Sequence, residues 1–320
     1  MVSTKTPMTQ KAKIDGKAWF KRYRMVLVLV VIVIFCGIIE PRFLSSANIL
    51  NLFRQISNNG IISIGMAVVI ICGGIDLGVG SYVCLVSILV IMLQAHMHWI
   101  PATIIVLALG CLIGAFNGFC IHKGMAPFIM TMASMTVIRG IAMLITNGYS
   151  VQGIQDGFAV IGRNRILGIP IPFLIYILMI VIFYIFLQYT PSGRAIYAVG
   201  GNAEAARLSG ISLLKTRVLA YLLSGFTSAV AGVVLIARLG SSLPSLGEGY
   251  ELDAIAGVVI GGISMSGGKG NIFLSIAGVF IIGILNNILN LLNVNPYIQE
   301  IAKGLIIFVA VAVDSWKKKE

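Results

Sequence analysis

An aspartate set among glycines, asparagines inside apolar runs and one long polar loop carry most of the chemistry this sequence offers. Asp76 lies in the run Gly73-Gly74-Ile75-Asp76-Leu77-Gly78-Val79-Gly80-Ser81, between two strongly apolar stretches. A carboxylate near hydrocarbon is costly and usually faces a cavity or a partner. Glycines let the backbone turn there and leave amides and carbonyls available to line the cavity. Asp76 and Gly74 are therefore candidates for a gate or for structure at a pathway; the other reading is that Asp76 caps the helix that follows. Asn58, Asn59, Asn117, Asn286, Asn287 and Asn290 sit within apolar runs. Amides offer donors and acceptors without charge, which suits the passage of a hydroxyl-rich solute, but buried Asn also bonds one helix to another.

Other chemistries find no support. The five cysteines, Cys36, Cys72, Cys84, Cys111 and Cys120, lie in or beside apolar segments, with no CxxC pair and no spacing that suits a metal. His96, His98 and His122 fall at segment ends. The scattered methionines read as adaptable packing. Gly268-Lys269 resembles part of a phosphate loop, but Ile263 and Gly270 occupy the places where that loop needs Gly and Ser or Thr. A formal charge of +12 would fit nucleic acid only if the basic residues clustered on one face with aromatics between them. They sit instead in short segments between apolar runs, which excludes a nucleic-acid partner.

The elements that must hold these residues are membrane helices. Hydrophobic residues make up 58% of 320 and charged residues only 11%, against roughly a quarter charged in a soluble domain. A crossing needs about 20 apolar residues. The apolar runs give spans at 25–39, 49–72, 81–95, 100–121, 126–146, 171–189, 218–239, 252–264, 272–292 and 297–314. The expectation is an all-α polytopic protein of about ten helices, some short enough to be broken or re-entrant. It has tails at 1–24 and 315–320 and one membrane domain at 25–314. The basic N-terminus (Lys11, Lys17, Lys21, Arg22, Arg24), Lys123, Arg194, Arg207, Lys215, Arg217, Lys269 and Lys317 to Lys319 fall on one side; Arg42, Arg163, Arg165, Glu40, Asp156, Glu248 and Glu251 fall on the other. By the positive-inside rule both termini are cytoplasmic. The N-terminal run has no small-residue cleavage site and reads as an uncleaved first span.

The longest expected cytoplasmic loop covers 190–217. Within it Asn202 to Ser209 carries a cap residue, Glu204 in the first turn, three alanines and Arg207 near the end, closed by Gly210. These are helix start and stop signals, with Glu204 and Arg207 suited to the two ends of the dipole. So small a helix could dock closely on a soluble partner, or be a plain connection. Two short matches suggest an internal repeat, though glycine-rich sequence also produces such matches by chance. Gly73-Gly74-Ile75 recurs as Gly261-Gly262-Ile263, and Gly114, Asn117 and Pro127 recur at equal spacing as Gly283, Asn286 and Pro296.

Three long runs in register carry a family resemblance: 73–81, 193–211 and Tyr250-Glu251-Leu252-Asp253-Ala254-Ile255-Ala256 with Val258-Val259 and Gly261-Gly262. They resemble the permeases of ribose-type ABC importers, a family that also carries xylose, galactose, allose or autoinducer-2. The similarity extends from the first span to Asp314. Gly78 stands where the family usually has Ser, and Lys269 lies in a variable turn. The resemblance implies a type II-like ABC importer permease in the bacterial inner membrane, a transporter subunit and not itself an enzyme. It implies a coupling loop at 190–217, with Gly200, Gly201, Asn202, Ala203, Glu204, Ala205, Ala206, Arg207, Ser209 and Gly210 facing a cytoplasmic ATPase. ATP and Mg would be used by that partner, with no cofactor bound by this chain. It further implies a periplasmic sugar-binding protein, pairing of two permease copies as a homodimer within membrane lipid, and a monosaccharide substrate, ribose first. A secondary carrier driven by an ion gradient is the alternative.

Overall fold

The structure, a computed structural model, describes residues 16–316. The expected tails lie partly outside them, including Lys11 and Lys317 to Lys319. Helix α1 already begins at Gly16, inside the segment expected as tail.

Thirteen helices are present among the described residues: α1 (Gly16–Ile39), α2 (Ser46–Ile71), α3 (Val79–Gln94), α4 (Trp99–His122), α5 (Pro127–Thr146), α6 (Asp156–Arg163), α7 (Ile171–Tyr189), α8 (Pro191–Gly201), α9 (Ala203–Leu208), α10 (Leu213–Leu239), α11 (Tyr250–Ile260), α12 (Ile272–Leu291) and α13 (Pro296–Trp316). Two-residue strands β1 (Val151–Gln152), β2 (Arg165–Ile166), β3 (Ile169–Pro170) and β4 (Ser241–Ser242) form two small antiparallel pairs, β1 with β4 and β2 with β3. Each of the ten expected spans falls on a helix. Six helices, α2, α4, α5, α7, α10 and α12, are long and apolar enough to cross a membrane by length and composition. The segment 252–264 differs most from its expectation: α11 has only 11 residues, because Gly261 to Gly270 breaks into turns, four of whose glycines have positive φ.

Local chemistry fixes the helix ends. Ser45 caps α2 by accepting from the Asn48 amide, Asn271 caps α12 by accepting from the Phe273 amide, and Pro127 and Pro296 open α5 and α13. The α10 helix stops at Gly240, which is left-handed.

Helices α2 and α10 form the buried centre and run antiparallel, with Gly65 against Ser224 and Gly74 against Tyr221. On the far side of α10, α4 approaches closely along Gly110, Gly114 and Gly118. A Cβ at Gly118 would lie 2.7 Å from the Val218 Cα, and one at Gly114 3.1 Å from the Leu222 Cα. Small residues spaced four apart let membrane helices touch backbone to backbone. At the end of the bundle where α10 stops, the segment between α5 and α7 folds over it. There Gln155 donates to the Gln94 and Met97 carbonyls at 2.9 and 2.8 Å. Helices α8 and α9 cover the opposite end.

One of the two sequence matches marks a real repeat. The offset that carries Gly114, Asn117 and Pro127 onto Gly283, Asn286 and Pro296 also carries α2, α3, α4 and α5 onto α10, α11, α12 and α13, within about four residues at the helix ends, the precision usual for such boundaries. Because α2 and α10 run in opposite directions, the repeat is inverted, an arrangement common among transporters. The same offset carries Gly73 to Ser242 and not to Gly261. Gly73 leads into α3 whereas Gly261 ends α11, so the Gly-Gly-Ile match is not part of this repeat.

Candidate functional site

The chain breaks between α2 and α3, and Asp76 lies in the break, fully buried. Its Oδ1 accepts from the Gly78 amide and from the Tyr82 hydroxyl, both at 3.0 Å, and its Oδ2 accepts from the Ser224 hydroxyl at 2.8 Å. Tyr82 in turn accepts from Asn117 Nδ2 at 2.6 Å. The carboxylate thus ties the break to α3, to α10 and, through Tyr82, to α4. It bonds the Gly78 amide, as a cap would, but no backbone amide deeper in α3; its other bond to α3 is to the Tyr82 hydroxyl. The glycine at 78 also has a local reason: the Tyr82 ring and hydroxyl fill the space that a Cβ would need.

The loop expected at 190–217 is mostly helix. Thr190 caps α8 by accepting from the Gly193 amide, and Asn202 caps α9 by accepting from the Ala205 amide at 2.9 Å. The inner face of α8 packs through Ile196 and Val199. Its C-terminal end meets two breaks at once. A Cβ at Gly267 would lie 2.7 Å from the Gly200 carbonyl and 2.9 Å from the Gly73 Cα. The Gly268 amide donates to the Ile71 carbonyl at 2.8 Å, and the Tyr197 hydroxyl donates to the Gly270 carbonyl at 3.0 Å. With φ of +86°, +79° and +70°, Gly73, Gly267 and Gly268 also hold conformations that side chains oppose. Beyond α8, α9 stands in the open: Glu204, Ala205, Arg207 and Leu208 are exposed, and Arg207 pairs with Glu204 at 2.6 Å. The hydrogen bonds from Arg207 hold the Glu204 carboxyl below its ordinary range.

A second polar centre lies toward the capped end, where α2, α10, α11, α12 and α13 line a half-open pocket of about 320 Å³. Asp253 of α11 is buried on its wall. Lys303 of α13 lies 3.2 Å from one carboxylate oxygen, and Asn59 and Asn286 donate to the other at 3.2 and 3.1 Å. A carboxylate this buried needs such extra hydrogen bonds to offset desolvation.

Residues 48–311 match the family model described as the branched-chain amino acid transport system permease component. The chain belongs to that family. As a permease it is also 44% identical to the ribose import permease protein of Bacillus subtilis over 99% of both chains. It is 43% identical to the ribose import permease protein of Haemophilus influenzae, over 92% of this chain and 93% of that one. The L-arabinose transport system permease protein of Escherichia coli is 37% identical, over 95% of this chain and 93% of its own. No solved structure matches. The expected resemblance to sugar permeases, the polytopic helical fold and a transport role thus stand on relatives matched end to end.

Within this permease the candidate residues separate into distinct environments. Asn59 and Asn286 meet on Asp253 across sequence, and Asn58 and Asn290 line the same cavity. Asn117 belongs to the Asp76 knot. Asn287 exchanges two hydrogen bonds of 2.9 Å with Asn48, a helix-to-helix tie. Gly74 lies against the Tyr221 hydroxyl, which donates to the Ile75 carbonyl at 3.2 Å. In the segment 190–217, Ala206 is buried against the permease core, so the outward face of α9 is carried by Glu204, Ala205 and Arg207. Asp253, Tyr82, Ser224 and Gln55 were not singled out from sequence. The signal for Asp253 was present: an acid inside an apolar helical run is a functional candidate by default. Arg139 sits mid-α5 and donates to the Pro244 and Leu246 carbonyls, both at 2.7 Å.

Proposed function

We propose that this permease is the membrane-spanning subunit of an ATP-binding-cassette importer in the bacterial inner membrane, carrying a monosaccharide, ribose first. The full-length similarity to ribose import permeases supports the substrate class. One structural observation supports the mechanism: the same short helix, α8, carries the exposed α9 at one end and presses on the chain breaks near Gly73 and Gly268. A separate cytoplasmic ATPase docks on α9, hydrolyses ATP with Mg, and moves α8 as a lever. The breaks beneath it then shift between two packings, which alternate the openings of the pathway. A periplasmic binding protein delivers the sugar to the capped end, a second copy of the chain completes the pathway, and lipid surrounds the pair. Both termini lie on the side of α9.

Proteoliposomes holding the permease with its ATPase and binding protein test this. Glu204→Lys reverses a charge on the docking face and is expected to preserve ATP hydrolysis while uptake falls about tenfold, the scale of losing ~1.4 kcal/mol of coupling. Normal uptake by that variant would defeat the docking role. A cross-linker at Ala203 that reacts only from the external medium would invert the orientation. The buried Asp253–Lys303 pair favours one other reading, a carrier driven by an ion gradient. Uptake driven by a proton or sodium gradient, without ATP, would select it.

A further inference from the structure

The cavity beside Asp253 holds a side chain whose hydrogen-bonding capacity is unused. Asn58 of α2 is 5% exposed and lines the cavity, yet neither its Nδ2 nor its Oδ1 has a partner. Asn286, opposite it on α12, uses its Nδ2 on Asp253 and leaves its Oδ1 without one. Other buried amides bond through at least one atom: Asn48 and Asn287 bond each other, Asn117 Nδ2 bonds Tyr82 and Gln94 Oε1 accepts from the Gln155 amide, though Asn117 Oδ1 and Gln94 Nε2 also lack partners. Folding alone does not explain an amide that is buried and unbonded, since stranding such a group disfavours the folded state. A ligand that bonds it does.

We infer that the pocket between α2, α10, α11, α12 and α13 is a binding subsite for a polyhydroxylated solute whose entry lets the Asn58 amide find a hydrogen-bond partner. This rests on the proposed transport of a monosaccharide and places a stopping point on its route. The chemistry of the wall selects the ligand class. Asn58 presents a donor and an acceptor side by side, and a hydroxyl matches both because it donates and accepts. Arg238 on the same wall leaves one cation over once Asp253 and Lys303 pair, so charge alone does not reject an anion; the adjacent donor and acceptor of Asn58 favour hydroxyls over it. Asp253 and Lys303 already neutralise each other and still offer lone pairs and protons to hydroxyls. Tyr250 adds an aromatic face suited to the apolar side of a sugar ring. A volume of about 320 Å³ falls in the range of small-molecule sites and far exceeds the space of one water.

The test uses the full-length permease in nanodiscs, with D-ribose as the probe. In Gln55→Cys, at a residue that lines the same pocket and leaves Asn58 in place, alkylation of residue 55 by N-ethylmaleimide, followed by peptide mass, is expected to slow at least about fivefold in saturating ribose. Alkylation of Leu167→Cys, on an exposed turn at 97% exposure, should not change. In Asn58→Leu, uptake with the partner proteins should fall by a similar factor while Tm holds or rises, because the unbonded amide is gone. A site filled by water alone predicts the reverse: alkylation indifferent to ribose, and a Tm that falls when the water loses its partner. That result overturns the subsite. Absence of ATP-driven uptake in the unmutated protein would instead overturn the import reading, and the alkylation assay, which needs no ATP or partner, still decides the cavity.

Discussion

Asp76 keeps its carboxylate buried with neutral donors alone, whereas Asp253 is buried beside an ammonium group at the edge of a cavity. Around Asp76 the Gly78 amide, Tyr82 and Ser224 give each oxygen a donor. Around Asp253 two asparagines and Lys303 crowd the carboxylate, while Asn58 next to it bonds nothing. The first arrangement gains by staying closed, because every displaced donor would be stranded. The second lowers its free energy when something enters. A pathway through a helical bundle needs both kinds of place, one that holds its shape and one that accepts a solute.

The largest expected effect sharpens this contrast from the charged side. Lys303→Met leaves the Asp253 carboxylate buried without its cation and should cost about 3–5 kcal/mol. Adding Asp253→Asn to that variant should recover most of the loss in thermal unfolding, and a double variant as unstable as the single would mean that the pair is not what matters there. A smaller loss is expected on the neutral side. Ser224→Ala removes one hydrogen bond to a carboxylate and should cost about 1.5–3 kcal/mol, with no rescue by any change at Lys303, since the two sites share no partner. If Lys303→Met suppressed the Ser224→Ala defect, the two centres would be one coupled network. The smallest effect lies outside both centres. Asn202→Ala removes the cap of α9 and should cost about 1 kcal/mol locally. Hydrogen exchange at the Ala205 amide should quicken without a change in Tm, and unchanged exchange would show that α8 alone holds α9 in place.

The helix pattern was readable because apolar length is a composition signal: all ten runs became helices, and the Gly114/Asn117/Pro127 spacing exposed half of an inverted repeat. The α8 helix was missed because Pro191-Ser192-Gly193 and Gly200-Gly201 look like turn chemistry. In fact Thr190 and Pro191 form a proper helix start, and the glycines are needed for contact with Gly268. The asparagines could not be sorted from sequence at all. Asn58, Asn117 and Asn287 sit in similar apolar surroundings along the chain, and what separates them is a partner far away, Asn48 for Asn287 at a separation of 239 residues and Tyr82 for Asn117 at 35. Asp253 gave a mixed signal: an acid in an apolar run is a functional candidate, an acid near a helix start is ordinary, and the packing of α13, which brings Lys303 against it, decides between them.

Helix α7 acquires a meaning from the inverted repeat that its own bland sequence does not suggest. Four crossings, α2 to α5, bring the chain back to the face from which it set out. A second set joined there by a short linker would simply copy the orientation of the first. The single additional traverse by α7 makes the number odd and delivers the second set upside down. A chain lacking α7 would therefore lose more than one lipid-facing helix: the breaks after α2 and α11 would no longer end at the same surface, and no one lever could reach them both.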